Sequence, residues 1–494
     1  MTVHSESPLD SVWFHATTVL KTLAVGSCLL VLFPTRSLAA PSALCSNQLP
    51  AAIAAIVNRP MFARSRFGVL VQTLGNQETL YARDANRYFI PASNAKLLTT
   101  AAVLSKFGSR YRIRTPVYGV QASSGWRIRL VGQGDPSFTD AQLISLAQQM
   151  SQKGIRQIAR LEVEDQDREP INGNWAVGDV RESYGTPVSR LIVNRNVVAL
   201  TLFPQAVGQP LRLQWKDAAQ ATQWKIENAS VTTPEPAPEY ITVERGLAQP
   251  TLKISGQLRV GAAPYVDAIA VFDPAAHFLS RFQHALSQVG ITVDQALVSH
   301  TPDLIGAEIA AIDSPTIAEL VKFTNQNSDN LYAEALLKLL GAERASPPES
   351  SVLGKGLSAL TEVLARLGID QEGFSIVDGA GLARQDLITP AALVQTLQTM
   401  SQHPEGAFYR SSLPIAGLSG SLQNRLQNTP AQGVVQAKTG TLTGISALSG
   451  YVSPTQHPPL VFSLILNQSR DSALVQRDAL DEIALLLAQL RSCS

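Results

Sequence analysis

One change of texture limits what this chain can fold into more than any other feature. From Tyr111 to about Ala262 short alternating runs separated by turn residues prevail, at 112–120, 126–131, 191–202, 211–215 and 253–260, which is the pattern of β-strands. A single amphipathic helix at 140–153 interrupts them, and the proline-rich 232–238 reads as an exposed loop. On either side the helical period rules. Ahead of the stretch come a helix at 50–57, strands at 67–72 and up to Ala82, and a helix opened by Pro91. Behind it the spacing predicts helices at 274–289, 316–322, 329–340, 356–367 and 390–400, strands at 447–452 and 460–466, and a closing helix at 473–490. A region that resumes its character after such an interruption reads as one α+β domain, 40–110 with 263–494, carrying a β-rich insert at 111–262. The 494 residues are too many for a single compact core, which agrees with that division.

Three short motifs fall in the flanks and none in the insert. Pro91-Ala92-Ser93-Asn94-Ala95-Lys96 starts a helix, so that Lys96 lies one turn from Ser93 on the same face. This is what acyl transfer needs when lysine rather than histidine activates a serine. Ser328-Asp329-Asn330 opens the helix predicted at 329–340, and Lys438-Thr439-Gly440-Thr441 precedes the strand predicted at 447–452. Each motif alone has an ordinary explanation: a capped helix, an N-cap, a strand end and turn. Their joint occurrence, in this order and in these contexts, points to chemistry.

The roles follow from residue types. Ser93 attacks an acyl carbonyl, and Lys96 must be neutral to take its proton, although an exposed lysine titrates near about 10.4. Burial and a second cation, Lys438, would each lower that value. Ser328 can relay the proton to a leaving amine, and Asn330 can hold Lys96 and a substrate amide. The N–H groups of Ser93 and Thr441 would form an oxyanion hole. Lys438 with Thr439, Gly440 and Thr441 suits a terminal carboxylate.

The three motifs together resemble those of the penicillin-recognising serine enzymes. Within that group the chain looks like the D-alanyl-D-alanine carboxypeptidases and endopeptidases of the penicillin-binding-protein 4 type, peptidase family S13. Ser93 and Ser328 are 235 positions apart, where that family places two extra domains and compact β-lactamases have far less. The runs Gly132-Gln133-Gly134-Asp135-Pro136, Tyr184-Gly185-Thr186-Pro187-Val188-Ser189, Asp378-Gly379-Ala380-Gly381-Leu382-Ala383-Arg384 and Leu413-Pro414-Ile415-Ala416-Gly417 resemble family sequence as well. Ala380 and Ala383 depart from it, standing where serines are more usual. The resemblance implies a transpeptidase/β-lactamase-like domain, an antiparallel sheet flanked by helices, with an insert of two small domains at about 111–202 and 203–262. It implies a serine D-Ala-D-Ala carboxypeptidase or D,D-endopeptidase that acts on peptidoglycan stem peptides and is acylated by β-lactams at Ser93. It also implies a pocket for a diaminopimelate-type side chain at Asp179, Tyr184, Leu382 and Arg384, with Asp179 as counter-charge to an ammonium. The alternatives are a β-lactamase or esterase on the same fold and, outside enzymes, a cell-wall-binding scaffold. A pure binder has no need of a neutral lysine beside a serine.

Other classes are poorly supported. A formal net charge of +1 gives no footprint for nucleic acid. There is no His-Glu-x-x-His, no Cys/His cluster and no Gly-x-Ser-x-Gly elbow, so neither a metal, another cofactor nor a Ser-His-Asp triad is expected. His277 and His284, seven apart on one helix face, read as packing or surface residues. Lys21, the apolar run 22–33 and Ser37-Leu38-Ala39 form a signal peptide over 1–39, with cleavage expected near Ala39 and export to the periplasm or cell envelope. Were the segment retained, it would leave the protein associated with the membrane. Cys45 and Cys493 then remain near opposite ends, where an oxidising compartment permits a bridge; the other reading is two free thiols. Oligomeric state is left open.

Overall fold

The computed structural model describes residues 44–493 apart from 124, 218–220, 222, 248, 301–305 and 343–350. The segment expected to direct export lies outside the described residues. Among those described, no helix is long and apolar enough to cross a membrane.

A five-stranded antiparallel sheet organises the catalytic half, in the order Val435–Leu442, Ile445–Val452, Leu460–Asn467, Arg66–Thr73, Thr79–Arg83. Its second and third strands are buried at every residue, which is why they carry no polar face, and small hydroxyls such as Ser449 and Ser463 bond each other. Helices cover both faces. Leu49–Val57 and Ala473–Ala488 pack on one, around Ile53, Phe462, Leu480 and Ile483. On the other face lie Lys96–Phe107, Ile317–Asn327, Asn330–Leu340, Val352–Arg366 and Pro390–Gln402. Lys96–Phe107 is at the centre of that layer, with every residue from Lys96 to Leu104 buried. The first and last described residues meet beside the Leu49–Val57 and Ala473–Ala488 layer. Leu44–Cys45 pairs with Leu490–Arg491, and Cys45 and Cys493 are joined by a disulfide with their Cα atoms 5.5 Å apart.

The insert is larger than its sequence texture indicates: its start near 111 stands, while its expected end at 262 and its expected division at 202/203 are corrected. Strand Ala307–Thr316 pairs with Arg112–Ala122, and helix Pro274–Gln288 packs on Asp140–Gln152 about Phe138, Leu146, Phe278 and Phe282. The chain therefore leaves the insert near Thr316, not at 263. The helical period misled because that helix serves the insert's own core. Nor does the insert divide at 202/203: strand Val197–Phe203 pairs with Arg212–Trp215 and Tyr265–Ala270, so it belongs to the second unit. That unit adds a sheet of Lys225–Asn228, Val231–Thr233, Tyr240–Arg245 and Thr251–Arg259, sharing a core of Leu200, Trp224, Leu252 and Ile254. Between the two units, residues 165–196 run mostly as loops and 3₁₀ turns. This segment docks onto the catalytic half.

Candidate active site

The Ser-x-x-Lys stretch folds as a 3₁₀ turn, Ala92–Ala95, leading into the α-helix at Lys96. Ala92 has φ +48°, an uncommon backbone for a residue with a side chain. Two glycines explain how it is held. A Cβ on Gly381 would come 1.9 Å from the Ala92 carbonyl oxygen, and one on Gly440 would stand 2.8 Å from the Pro91 oxygen and 3.1 Å from the Ser93 nitrogen. Only glycine lets the 380–383 turn and the third-motif strand close on the serine from two sides.

Lys96 is wholly buried, and its Nζ donates to Ser93 Oγ at 3.0 Å, to Asn330 Oδ1 at 2.6 Å and to the Ala380 carbonyl at 2.6 Å. Burial pushes this amine down to about 8, against the pull of the nearby carboxylates of Asp378, Asp329, Glu334 and Asp386. Lys438, also wholly buried, donates to Ser328 Oγ at 2.8 Å and to the Thr439 carbonyl at 2.8 Å. Burial, and then the charge of Lys96, hold Lys438 well below the ordinary lysine value.

Ser328 joins two helices. It ends Ile317–Asn327 in the left-handed region at φ +55°, and Asp329 caps Asn330–Leu340 by accepting from the Tyr332 N–H at 2.9 Å. The sequence therefore puts the hydroxyl of Ser328 and the amide of Asn330 on either side of a cap, the first on Lys438 and the second on Lys96. Asp329 is ion-paired with Arg195 of the insert, whose guanidinium also lies over the Phe323 ring. Asn330 Nδ2 donates to the Tyr184 carbonyl at 2.9 Å, which leaves one N–H of the amide for a substrate. Thr439 Oγ1 and Ser421 Oγ are 2.7 Å apart, and Thr441 is exposed on the strand that carries Lys438.

The four side chains assigned by resemblance to a specificity pocket lie on segments that border the motif residues, here called the rim. Tyr184 hydroxyl donates to Asp179 Oδ1 at 2.9 Å; partial burial and this carboxylate raise the phenol's pKa. Leu382 is buried in a small apolar patch with Trp175, Val180, Ala333, Ala380 and Ala383. Arg384 is exposed and reaches the Thr443 carbonyl, just past the third motif, at 3.4 Å. Sequence reasoning missed Ser421, Arg195 and the Ala380 carbonyl. The first two lie in no chemical motif, and the third is a backbone atom. Of the two histidines on Pro274–Gln288, His277 is buried and pushed down to about 4 by burial, and His284 contacts Gln288. Both are remote from the three motifs in sequence.

Comparison with known proteins fits this geometry. The D-Ala-D-Ala carboxypeptidase 3 (S13) family profile matches residues 49–490. A D-alanyl-D-alanine carboxypeptidase of Actinomadura sp. (strain R39) is 32% identical, over 88% of this chain and 84% of its own. The fold is that of penicillin binding protein 4 (dacB) from Haemophilus influenzae, with TM-score 0.78 at 20% identity, covering 88% of this chain and 98% of that one. A Bdellovibrio bacteriovorus predatory endopeptidase, solved acylated by penicillin G, superposes with TM-score 0.50 at 14% identity over 85% and 91% of the two chains.

Proposed function

The chain belongs to the D-Ala-D-Ala carboxypeptidase (S13) family and is a serine D,D-peptidase inhibited by β-lactams; for its mechanism we propose that Ser93 is the nucleophile and Lys96 its base. The observation that carries this is the 3.0 Å contact between Lys96 Nζ and Ser93 Oγ, with the amine wholly buried. A lysine lowered to about 8 is partly neutral near physiological pH, so it can accept the hydroxyl proton as Oγ bonds to the carbonyl carbon of the penultimate D-alanine. Negative charge on the carbonyl oxygen falls to the Ser93 and Thr441 N–H groups. When the C–N bond breaks, the proton on Lys96 passes by way of Ser328 to the leaving amine, and water later releases the acyl group from Ser93. Lys438, Thr439 and Thr441 receive the carboxylate of the departing D-alanine, with Ser421 orienting the Thr439 hydroxyl. Asn330 holds Lys96 in line and offers its remaining N–H to the substrate amide. The rim of Asp179, Tyr184, Leu382 and Arg384 takes a zwitterionic third-residue side chain, an acid facing the ammonium and an arginine facing the carboxylate.

The protein acts at the cell envelope, exported with cleavage near Ala39. The disulfide between Cys45 and Cys493 supports this, since such bonds persist in oxidising compartments. Digestion of purified pentapeptide monomers and cross-linked dimers, with products weighed, tests the activity. Loss of one alanine mass registers carboxypeptidase action and splitting of dimers registers endopeptidase action. Neither product would refute the reading.

A further inference from the structure

Three buried carboxyl groups lie behind Lys96: Glu334 is 1% exposed, and Asp378 and Asp386 are 0% exposed. The proposed mechanism uses none of them, yet one is placed to govern the lysine. Asp378 Oδ1 accepts from the N–H groups of Ala380 (2.9 Å) and Gly381 (2.5 Å). Its Oδ2 accepts from Leu382 (3.0 Å), Ala383 (2.7 Å) and the indole Nε1 of Trp175 (2.7 Å). Five donors on two oxygens suit an acceptor-only carboxylate. Four of them wind residues 380–383 into the tight turn that aims the Ala380 carbonyl at Lys96 Nζ, 2.6 Å away. The fifth comes from the insert. Trp175 is itself buried against Ala333, Ala380, Leu382 and Ala383.

We propose that Asp378 is a positioning residue for Lys96, and that Trp175, by bonding Asp378, makes the insert part of the lysine's mounting. The inference rests on the reading of Lys96 as base. The charges facing Lys96 are Asp378 and Asp386 from one loop, Asp329 and Glu334 from the second-motif helix, and Lys438 from the strand. Asp378 does the most among the carboxylates to hold the lysine's proton on. Asp386 keeps its own proton, pushed up to about 10 by burial and then by Asp378, and the same two causes push Glu334 up to about 7. The insert reaches this cluster at two points, through Trp175 Nε1 on Asp378 Oδ2 at 2.7 Å and through Asn172 Nδ2 on Glu334 Oε1 at 3.1 Å, and of the two only Asp378 also winds the turn that carries the Ala380 carbonyl.

The test compares acylation by a chromogenic cephalosporin, across pH, in the full mature protein and two variants. Trp175→Phe keeps an aromatic ring but deletes the Nε1–H donor together with part of the indole's buried volume. Its limiting acylation rate should fall about 3- to 10-fold with unchanged binding of the cephalosporin, the size expected when a catalytic group loses its orientation, alongside the drop in melting temperature that a smaller buried ring brings. Asp378→Asn should move the rising limb of the rate profile to lower pH by about one unit, because a raising charge is gone, and slow the limiting rate as the turn loosens. A packing role alone would leave that limb in place. Wild-type acylation in Trp175→Phe overturns the inference, as does a slowed Asp378→Asn with an unmoved limb. If Asp378→Asn does not fold, the Trp175→Phe rate decides. Mapping of the adduct in the wild-type protein separates the premises: no label on Ser93 removes the base reading, whereas a labelled Ser93 with an indifferent Trp175→Phe removes only this inference.

Discussion

On the floor of the cleft, Lys96 and Lys438 are wholly buried, one making three hydrogen bonds and the other two. At the rim, Tyr184 is 49% exposed and Arg384 reaches a single carbonyl at 3.4 Å. Desolvation lowers both lysines on the floor. On the proposed mechanism the floor serves the reaction, the same for any acyl donor, and the rim serves the ligand. A β-lactam, which carries the carboxylate and the strained amide but no zwitterionic stem-peptide side chain, should sense mainly the floor.

Substitutions on the floor should have the largest effects and should not distinguish substrates. Lys96→Met keeps the length of the side chain and removes the base. Penicillin acylation and D-alanine release should both fall about 10³-fold, within the range for loss of a general base, as followed by stopped-flow labelling and released D-alanine. A loss confined to the peptide would erase the distinction between floor and rim. The unmodified floor should also show its pH signature. Because the neutral amine is the active form, acylation should rise with pH through about 8 as Lys96 loses its proton. A flat profile from pH 6 to 9 would mean that another group takes the proton.

At the rim the effect should be smaller and selective. Arg384→Ala should lower kcat/KM for a peptide with a diaminopimelate-type third residue about 10-fold, equivalent to about 1.4 kcal/mol. Penicillin acylation should stay within about 2-fold of wild type, since exposed charges contribute modestly. Equal losses with both ligands would place Arg384 in the floor.

The smallest effect concerns the support behind the floor. Asp386 has a folded-state pKa of about 10, far above its unfolded value, so the wild type loses stability as pH climbs from the carboxylate range toward 10. Asp386→Asn imitates the protonated acid and removes that contribution. Its melting temperature should match wild type near pH 5 and exceed it by a few degrees near pH 9, by calorimetry. Parallel curves would show that Asp386 is not the proton holder.

The same contrast explains what was legible in the sequence. The floor residues come in tight local patterns because a serine and its base must share one helical turn and a cap must present two side chains at once. Ser93, Lys96, Ser328, Asn330 and Lys438 could therefore be read from spacing and residue type. Strands that run as buried apolar stretches, such as Leu460–Asn467, were equally plain. The insert's limits were not. Helix Pro274–Gln288 and strand Ala307–Thr316 have the local character of either region, and only non-local pairing assigns them to the insert. Trp175, Arg195 and Ser421 act through contacts across long sequence separations, which no local period encodes. The rim residues were found by resemblance alone, because an exposed Asp or Arg at a loop has no pattern of its own.

Every kinetic effect above depends on Ser93 being the nucleophile, on a floor indifferent to the rest of the substrate. The most direct measurement is peptide mapping by mass spectrometry of the purified mature protein after brief exposure to penicillin. One penicilloyl adduct per chain, on the peptide that contains Ser93 and absent in Ser93→Ala, is the predicted result. An adduct on another residue, or none at all, would contradict it.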